Sequence, residues 1–344
     1  MNLASRVQLV LAVFVCAACL SNAAIGDDFN VSTLNAGKVF PGTTLFSVTT
    51  SFESQRIVEA DMAGKTVWSY AIPRSLSGDK GFLLDVNRLN NGHILFTLHH
   101  AGIFEITRAG KVVWRHLDSE ASHDADRLAN GNTLYNRGWA KKGEAVAREV
   151  TPDGKTVWSW NGLAAFDRPP FADVDREGWM HVNSLTRLAN GNTLISIRNF
   201  NTVVEVNPTG EVVWSITFRA SAGKGFPATE GSIKGAANHE PEVLENGNLL
   251  LALRRPNRFV EFDRQSATIV WQWEHPDGHK ALRTNREANR LPNGNTLVSS
   301  QDRLYEVTHD GEIVWQVNAP RGGDNRRKFH KAIRIAPDGK AYGG

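Results

Sequence analysis

Cysteine is nearly absent from this chain of 344 residues, which has only Cys16 and Cys19. Both fall in the opening segment MNLASRVQLVLAVFVCAACLSNAA, where one Arg precedes an apolar run of signal-peptide length and Ser21 and Ala23 supply the small residues of a cleavage site. Cleavage near Ala23 is expected, making residues 1–23 a signal peptide and 24–344 a single mature domain. Such a chain has no disulfide and no thiol chemistry. CAAC is an imperfect lipoprotein box, since Cys16 stands where Leu is usual, so a periplasmic or extracellular protein is expected ahead of a lipid-anchored one. Long apolar runs are also lacking. The opening one is too short and too early for a transmembrane helix, and no stable membrane span is expected. Charge of one sign is scarce too: the formal net charge is +3, and Lys and Arg are scattered except in RGGDNRRKFHK at 321–331, read as a solvated loop. A basic groove for nucleic acid is thereby excluded.

Repetition, in contrast, is abundant. One motif is a turn between alternating apolar residues: NRLNNGHILFT at 87, DRLANGNTLYN at 126, TRLANGNTLIS at 186, EVLENGNLLLA at 242 and NRLPNGNTLVS at 289. Asn-Gly accepts the positive backbone angles of a tight turn, so each copy reads as a hairpin, here taken as a two-residue one. The second motif is a polar turn followed by Val-Trp, with Trp at 68, 114, 158, 214, 271 and 315. One hairpin of each kind makes a four-stranded sheet. The Trp spacings of 46, 44, 56, 57 and 44 suit propeller blades, which take about 40–50 residues each. The expected fold is all-β, a six-bladed β-propeller of four-stranded antiparallel blades. KVFPGTTLFSVT at 38 reads as a degraded first hairpin and HKAIRIAPDGKAY at 330 as a surplus one, so the C-terminal strand should close the ring on blade one. Asn-Gly and Val-Trp are read as scaffold.

Function must then lie in residues that do not repeat. Four places before the residue preceding each turn stand Leu84, His123, Asn183, His239, Arg286 and His330. Innermost strands line a propeller's channel, so one register position forms a ring at its mouth. Counting across two-residue turns sets Arg198 opposite Asn183, Arg254 opposite His239, Gln301 opposite Arg286 and His99 opposite Leu84. His181 lies two residues before Asn183 and shares its face. Guanidiniums and imidazoles converging there suit a sulfate, phosphate or carboxylate, and nearby Arg keeps a His neutral and nucleophilic. Two other readings stay open: a divalent metal on the three His, opposed by the Arg charge, and an inert polar lining.

With these residues in view, the chain resembles the bacterial arylsulfate sulfotransferases, six-bladed propellers that move a sulfuryl group between phenols without a nucleotide sulfate donor. His123-Asp124 before ANGN looks like the family's first catalytic His segment; His181, Asn183, Ser184, Ser196 and Arg198 look like its His-x-Asn-Ser and Ser-x-Arg segments; His239 stands where the nucleophilic His opens the next blade. The strand after it ends LALRRPNRF, a departure that bears on substrate range.

The resemblance implies an aryl sulfate donor and a phenolic acceptor, both small molecules, and no cofactor or metal. His239, His123, His181 and Arg198 are the expected catalytic residues, and Asn183, Arg254, Arg286 and His330 the expected substrate-binding ones. The long connections at 161–180 and 218–237 should wall the mouth, with Phe171, Trp179 and Phe226 as candidate aromatic platforms. The alternative is a non-catalytic exported propeller that binds an anionic ligand or a protein; a quinone-dependent dehydrogenase is the third, disfavoured by blade count.

Overall fold

The computed structural model describes residues 28–218, 236–320 and 329–343; the expected signal peptide, both cysteines and Phe226 lie outside them. Six sheets are present, four of four strands and two of five, each built on antiparallel pairs. They form the blades of a propeller. Blades 2 to 5 take their strands in chain order, opening with Phe82–Arg88, Ala125–Arg127, Val182–Arg187 and Asn238–Val243. Blade 6 opens with Asn285–Arg290.

The ring closes as expected. Phe329–Ile335 pairs with Thr43–Thr49, which pairs with Gln55–Asp61, completing blade 1 from the far end of the chain. The run read as a solvated loop thus continues into a strand: Phe329, His330 and Lys331 are all buried. A second closure was not anticipated. Asn30–Leu34 adds a fifth strand to the outer edge of blade 6, on Ile313–Asn318. The sequence NVSTL is short and polar, and nothing in its pattern distinguishes it from a loop.

The Val-Trp motif builds the rim. Each Trp lies across the ladder from a Glu of the preceding strand, as Trp158 does from Glu149 and Trp271 from Glu261. An Arg from the next blade lies over the Trp ring and pairs with that Glu. Arg187 is 5.2 Å from the Trp158 centroid and 2.7 Å from Glu149; Arg290 is 5.0 Å from Trp271 and 2.8 Å from Glu261. Arg108, Arg127, Arg264 and Arg334 repeat the arrangement on Trp68, Trp114, Trp214 and Trp315. The last Asn of the turn supports the same Glu from its own blade, as Asn192 does on Glu205 at 2.6 Å and Asn295 on Glu306 at 2.7 Å. Each cation–π contact contributes about 0.5–1 kcal/mol at a partly exposed site.

The turns differ from the expected geometry. Leu188 N–H donates to Asn192 O at 2.8 Å and Gly191 N–H to Leu188 O at 2.9 Å, so the loop has three residues, with Gly191 at φ 85°. This places Arg187 opposite Thr193. A two-residue turn would shift every pair by one.

A second shift follows at the channel end of the innermost strands. The ladders skip Leu84, Asn183 and Arg286 as bulged residues, and in blade 5 the irregularity falls between His239 and Glu242. In blade 1 it spans His330 and Lys331. A bulge breaks the strict alternation of side chains along a strand. Here it lets a ring residue and its successor both face the channel.

Candidate active site

Three imidazoles form the centre of the ring. The rings of His123 and His239 are 5.9 Å apart between centroids, those of His123 and His330 5.8 Å, and those of His239 and His330 5.7 Å. His181 joins from blade 4, at 5.0 Å from His123. All four are buried, His181 and His239 completely. Arg286 Nη1 stands 3.3 Å from His330 Nε2.

Arg198 and Arg254 reach this cluster by a different register from the one counted across the turns. Arg198 N–H pairs with His181 O rather than opposing Asn183, and Arg254 N–H donates to Ala236 O rather than opposing His239. Gln301 N–H donates to Arg283 O, and His99 pairs with Phe82. The three-residue turn and the bulge account for the difference. Arg198 nonetheless acts on His123, His181 and His239 through its charge.

Asn183 is less free than expected, since its Nδ2 donates to Asn238 O of the next blade at 2.9 Å. Of the candidate aromatic platforms, Phe171 and Trp179 belong to core packing, while Phe226 lies outside the described residues. Trp179 is buried in the blade 3–4 core beside Phe171 and Phe200, and its Nε1 donates to Phe171 O.

The aromatic surface at the site is instead Trp139. Its ring stacks on His123 at 4.7 Å with 9° between planes, lies 3.9 Å from His99 and 4.6 Å from His181. Its only sequence signal was that it falls outside the Val-Trp repeat. Glu177 is the second residue missed. It lies on the 161–180 connection, which does overhang the mouth, and its carboxylate pairs with Arg198 at 2.7 Å while its carbonyl meets His181 Nδ1 at 2.8 Å.

Burial holds His239 well below the ordinary imidazole range, and the charge of Arg254, His330, Arg286 and Arg198 adds to it. His123 is lowered by burial and then by the neighbouring His181, His330 and His239; His181 by burial and then by Arg198. Arg254 is itself pushed down to about 10, by burial and by Arg198 and Arg255. His123, His181 and His239 are therefore neutral at pH 7, and guanidiniums surround them with positive charge. This is an environment for an anion with a neutral nitrogen nucleophile facing it.

A metal fits less well. The nearest nitrogens of His123, His239 and His330 lie within 4.8 Å of one another, a loose set for a tetrahedral ion held at about 2.0–2.1 Å from each nitrogen. Arg286 sits against His330 Nε2, and its charge opposes a cation beside that ring.

Directly beneath lies a second tier made by the residues that follow the ring positions: Asp85, Asp124, Ser184, Glu240, Glu287 and Lys331. Lys331, buried, places Nζ 2.6 Å from Asp124, 3.1 Å from Asp85 and 3.3 Å from Glu240. Asp85 and Asp124 also accept the backbone N–H groups of Ala125 and Leu185 in the next blades, at 3.0 and 2.8 Å. Burial raises Asp85 to about 7 against the pull of Lys331.

A ring of six blades carrying buried His and half-buried Arg at its channel mouth defines the class, and comparison with known proteins supplies the family. The chain belongs to the arylsulfotransferase (ASST) family, whose model matches residues 30–229, more than half its length. A second model, that of the outer membrane protein assembly factor BamB, matches residues 141–335 and overlaps the first on the repeated blades. A protein of unknown function from Bacteroides caccae is similar in fold, with a TM-score of 0.57 at 19% identity, covering 80% of this chain and 94% of that one. A streptogramin B lyase has a TM-score of 0.55 at 13% identity over 91% of this chain and 94% of its own. A catalytically inactive virginiamycin B lyase from Staphylococcus aureus with quinupristin has a TM-score of 0.51 at 12% identity, covering 83% and 87%. At these identities the likeness concerns the fold alone. No curated protein matches the chain.

Proposed function

We propose that the chain transfers a sulfuryl group from an aryl sulfate to a phenolic acceptor through a sulfohistidine on His239. The observation that carries this reading is the buried His239 imidazole, kept neutral and flanked by Arg254, Arg286 and Arg198. A neutral ring nitrogen attacks sulfur, the N–S bond forms as the S–O bond to the aryl group breaks, and a phenolate leaves. His123, His181 and Arg198 take the equatorial oxygens, where negative charge is held in the transition state. Arg254, Arg286 and His330 bind the anion in the ground state, with the remaining amide proton of Asn183 assisting. The face of Trp139 is the surface against which an aryl ring stacks. The acceptor phenol then attacks the sulfohistidine, its proton passing to a neighbouring neutral imidazole as the S–N bond breaks and its electron pair returns to His239.

The apolar run in residues 1–23 supports export, so the reaction is proposed to take place outside the cytoplasm. The test is release of 4-nitrophenol from its sulfate ester with and without added phenol. Acceptor-dependent release, together with an acid-labile adduct of one SO3 group on His239 when acceptor is withheld, is expected. Turnover without that adduct would replace the covalent route with direct transfer, and absence of release would favour a binding protein.

A further inference from the structure

Glu240 follows His239 directly and occupies the blade 5 bulge, with its backbone at φ 46°, a left-handed conformation that Glu rarely adopts. Pro241 follows it. The consequence of that backbone is that the Glu240 side chain is turned under the imidazole tier and buried there. Its two oxygens have different neighbours. Oε2 is 3.3 Å from Lys331 Nζ, and Oε1 is 3.5 Å from His239 Nδ1. Neither ring nitrogen of His239 makes a hydrogen bond among the described residues, nor does Glu240 Oε1. Lys331 is fixed from the other side by Asp124 and Asp85, whose remaining oxygens are tied to the backbone.

We infer that Glu240, oriented by Lys331, is a positioning residue that holds the His239 proton on Nδ1 and leaves the Nε2 lone pair for attack on sulfur. The inference rests on the sulfohistidine reading above. The partner of one ring nitrogen decides which tautomer an imidazole adopts. With Oε2 committed to Lys331, Oε1 is the oxygen placed to accept Nδ1–H. In the transfer step the N–S bond forms at Nε2, the S–O bond breaks with its electron pair on the phenolate, and the proton stays on Nδ1. The ring then carries a positive charge beside the negative SO3 group. Glu240 Oε1 faces that charge, and Arg254 and Arg286 do not have to tolerate it unscreened. Burial raises the Glu240 carboxyl well above its usual range while Lys331 opposes the rise; it is the ionised form, the one paired with Lys331, whose Oε1 accepts Nδ1–H.

Glu240→Gln is the informative variant because it keeps shape. Its carbonyl oxygen takes Lys331, its NH2 faces His239 Nδ1, and the imidazole proton must move to Nε2, which blocks the nucleophile. The sulfation step is expected to slow by about 10²- to 10⁴-fold, a range that spans general acid–base effects and a wrong-tautomer histidine, with affinity for the aryl sulfate unchanged. The tautomer itself is read in the resting protein by long-range proton–nitrogen NMR of histidine-labelled samples, with His239→Asn used for assignment. Wild type should carry the proton on Nδ1 and Glu240→Gln on Nε2. A wild-type Nε2–H, or a tautomer indifferent to Glu240→Gln, would overturn the inference. Failure of the sulfotransferase reading shows separately, as a missing SO3 adduct on wild-type His239.

Discussion

On the rim, Trp158 of blade 3 and Trp271 of blade 5 lie under the same partners, an Arg from the next blade and a Glu across the ladder. In the channel the same two blades contribute His123 and His239, and the equivalent positions of blades 2, 4 and 6 hold Leu84, Asn183 and Arg286. The difference separates two kinds of constraint. Rim units repeat because each solves the same local problem of docking one blade on the next, and loss of one leaves five. The channel residues each act once, on a shared space, so no neighbour substitutes for them.

Breaking that contrast from the closure side should have the largest effect. Deleting residues 329–344 removes the innermost strand of blade 1, exposes two sheet edges, and takes His330 and Lys331 with it. The melting temperature should fall by many degrees and transfer should vanish; a melt close to wild type would show that blade 1 holds without its inner strand. His239→Asn should lower transfer on the order of 10³-fold or more with the melt nearly unchanged, as befits a residue that carries chemistry and little packing. Lys331→Met removes the cation that Asp85, Asp124 and Glu240 share and should cost about 3–5 kcal/mol, the penalty for breaking a buried ion pair, measured by urea unfolding. A value near zero would place water or a proton where Lys331 now sits. Arg187→Ala on the rim should cost only about 1 kcal/mol and leave transfer unaltered; a large loss of activity there would show that rim and channel are coupled.

pH offers a finer test. Because burial and neighbouring Arg hold His239 below the ordinary range, the nucleophile remains neutral as pH falls through about 6.5, the unperturbed value for His. The acid limb of the rate profile should therefore lie below pH 6.5. The sign for stability follows from the same depression. Below about pH 6.5 the unfolded chain binds protons that the buried imidazoles refuse. The stability they contribute is present above that pH and is lost as pH falls. Replacing His123 by Asn should flatten that decline, read from melts between pH 7 and pH 5.

The rim was legible in the sequence because its partners are local and repeat: Asn-Gly for the turn, Val-Trp for the outer strand. The ring at the mouth was legible as well, since it needs only a fixed count from each turn. The pairing of Arg198 and Arg254 was not, because Asn-Gly serves both two- and three-residue loops and the bulges leave no compositional mark. Trp139 and Glu177 escaped because they sit on connections without a repeat to compare, and Lys331 because it ends a basic run that resembles a loop. Glu240 was hidden by its backbone, whose left-handed turn under His239 no alternating pattern predicts.

The two closures also bear on how the protein is made. Thr43 pairs with Ile335, and Asn30 with Asn318, so the contacts that seal the ring join residues far apart in sequence. Contacts of such high sequence separation form slowly, and a chain emerging in order folds its early units first. Blades 2 to 5 can assemble as they appear, whereas blade 1 waits, with Phe46 and Leu45 lacking their inner neighbour, until residues 329–335 arrive. Binding competence at the channel mouth is then a late event, because His330 and Lys331 travel on the sealing strand, and an incompletely synthesised molecule holds neither the anion tier nor its support.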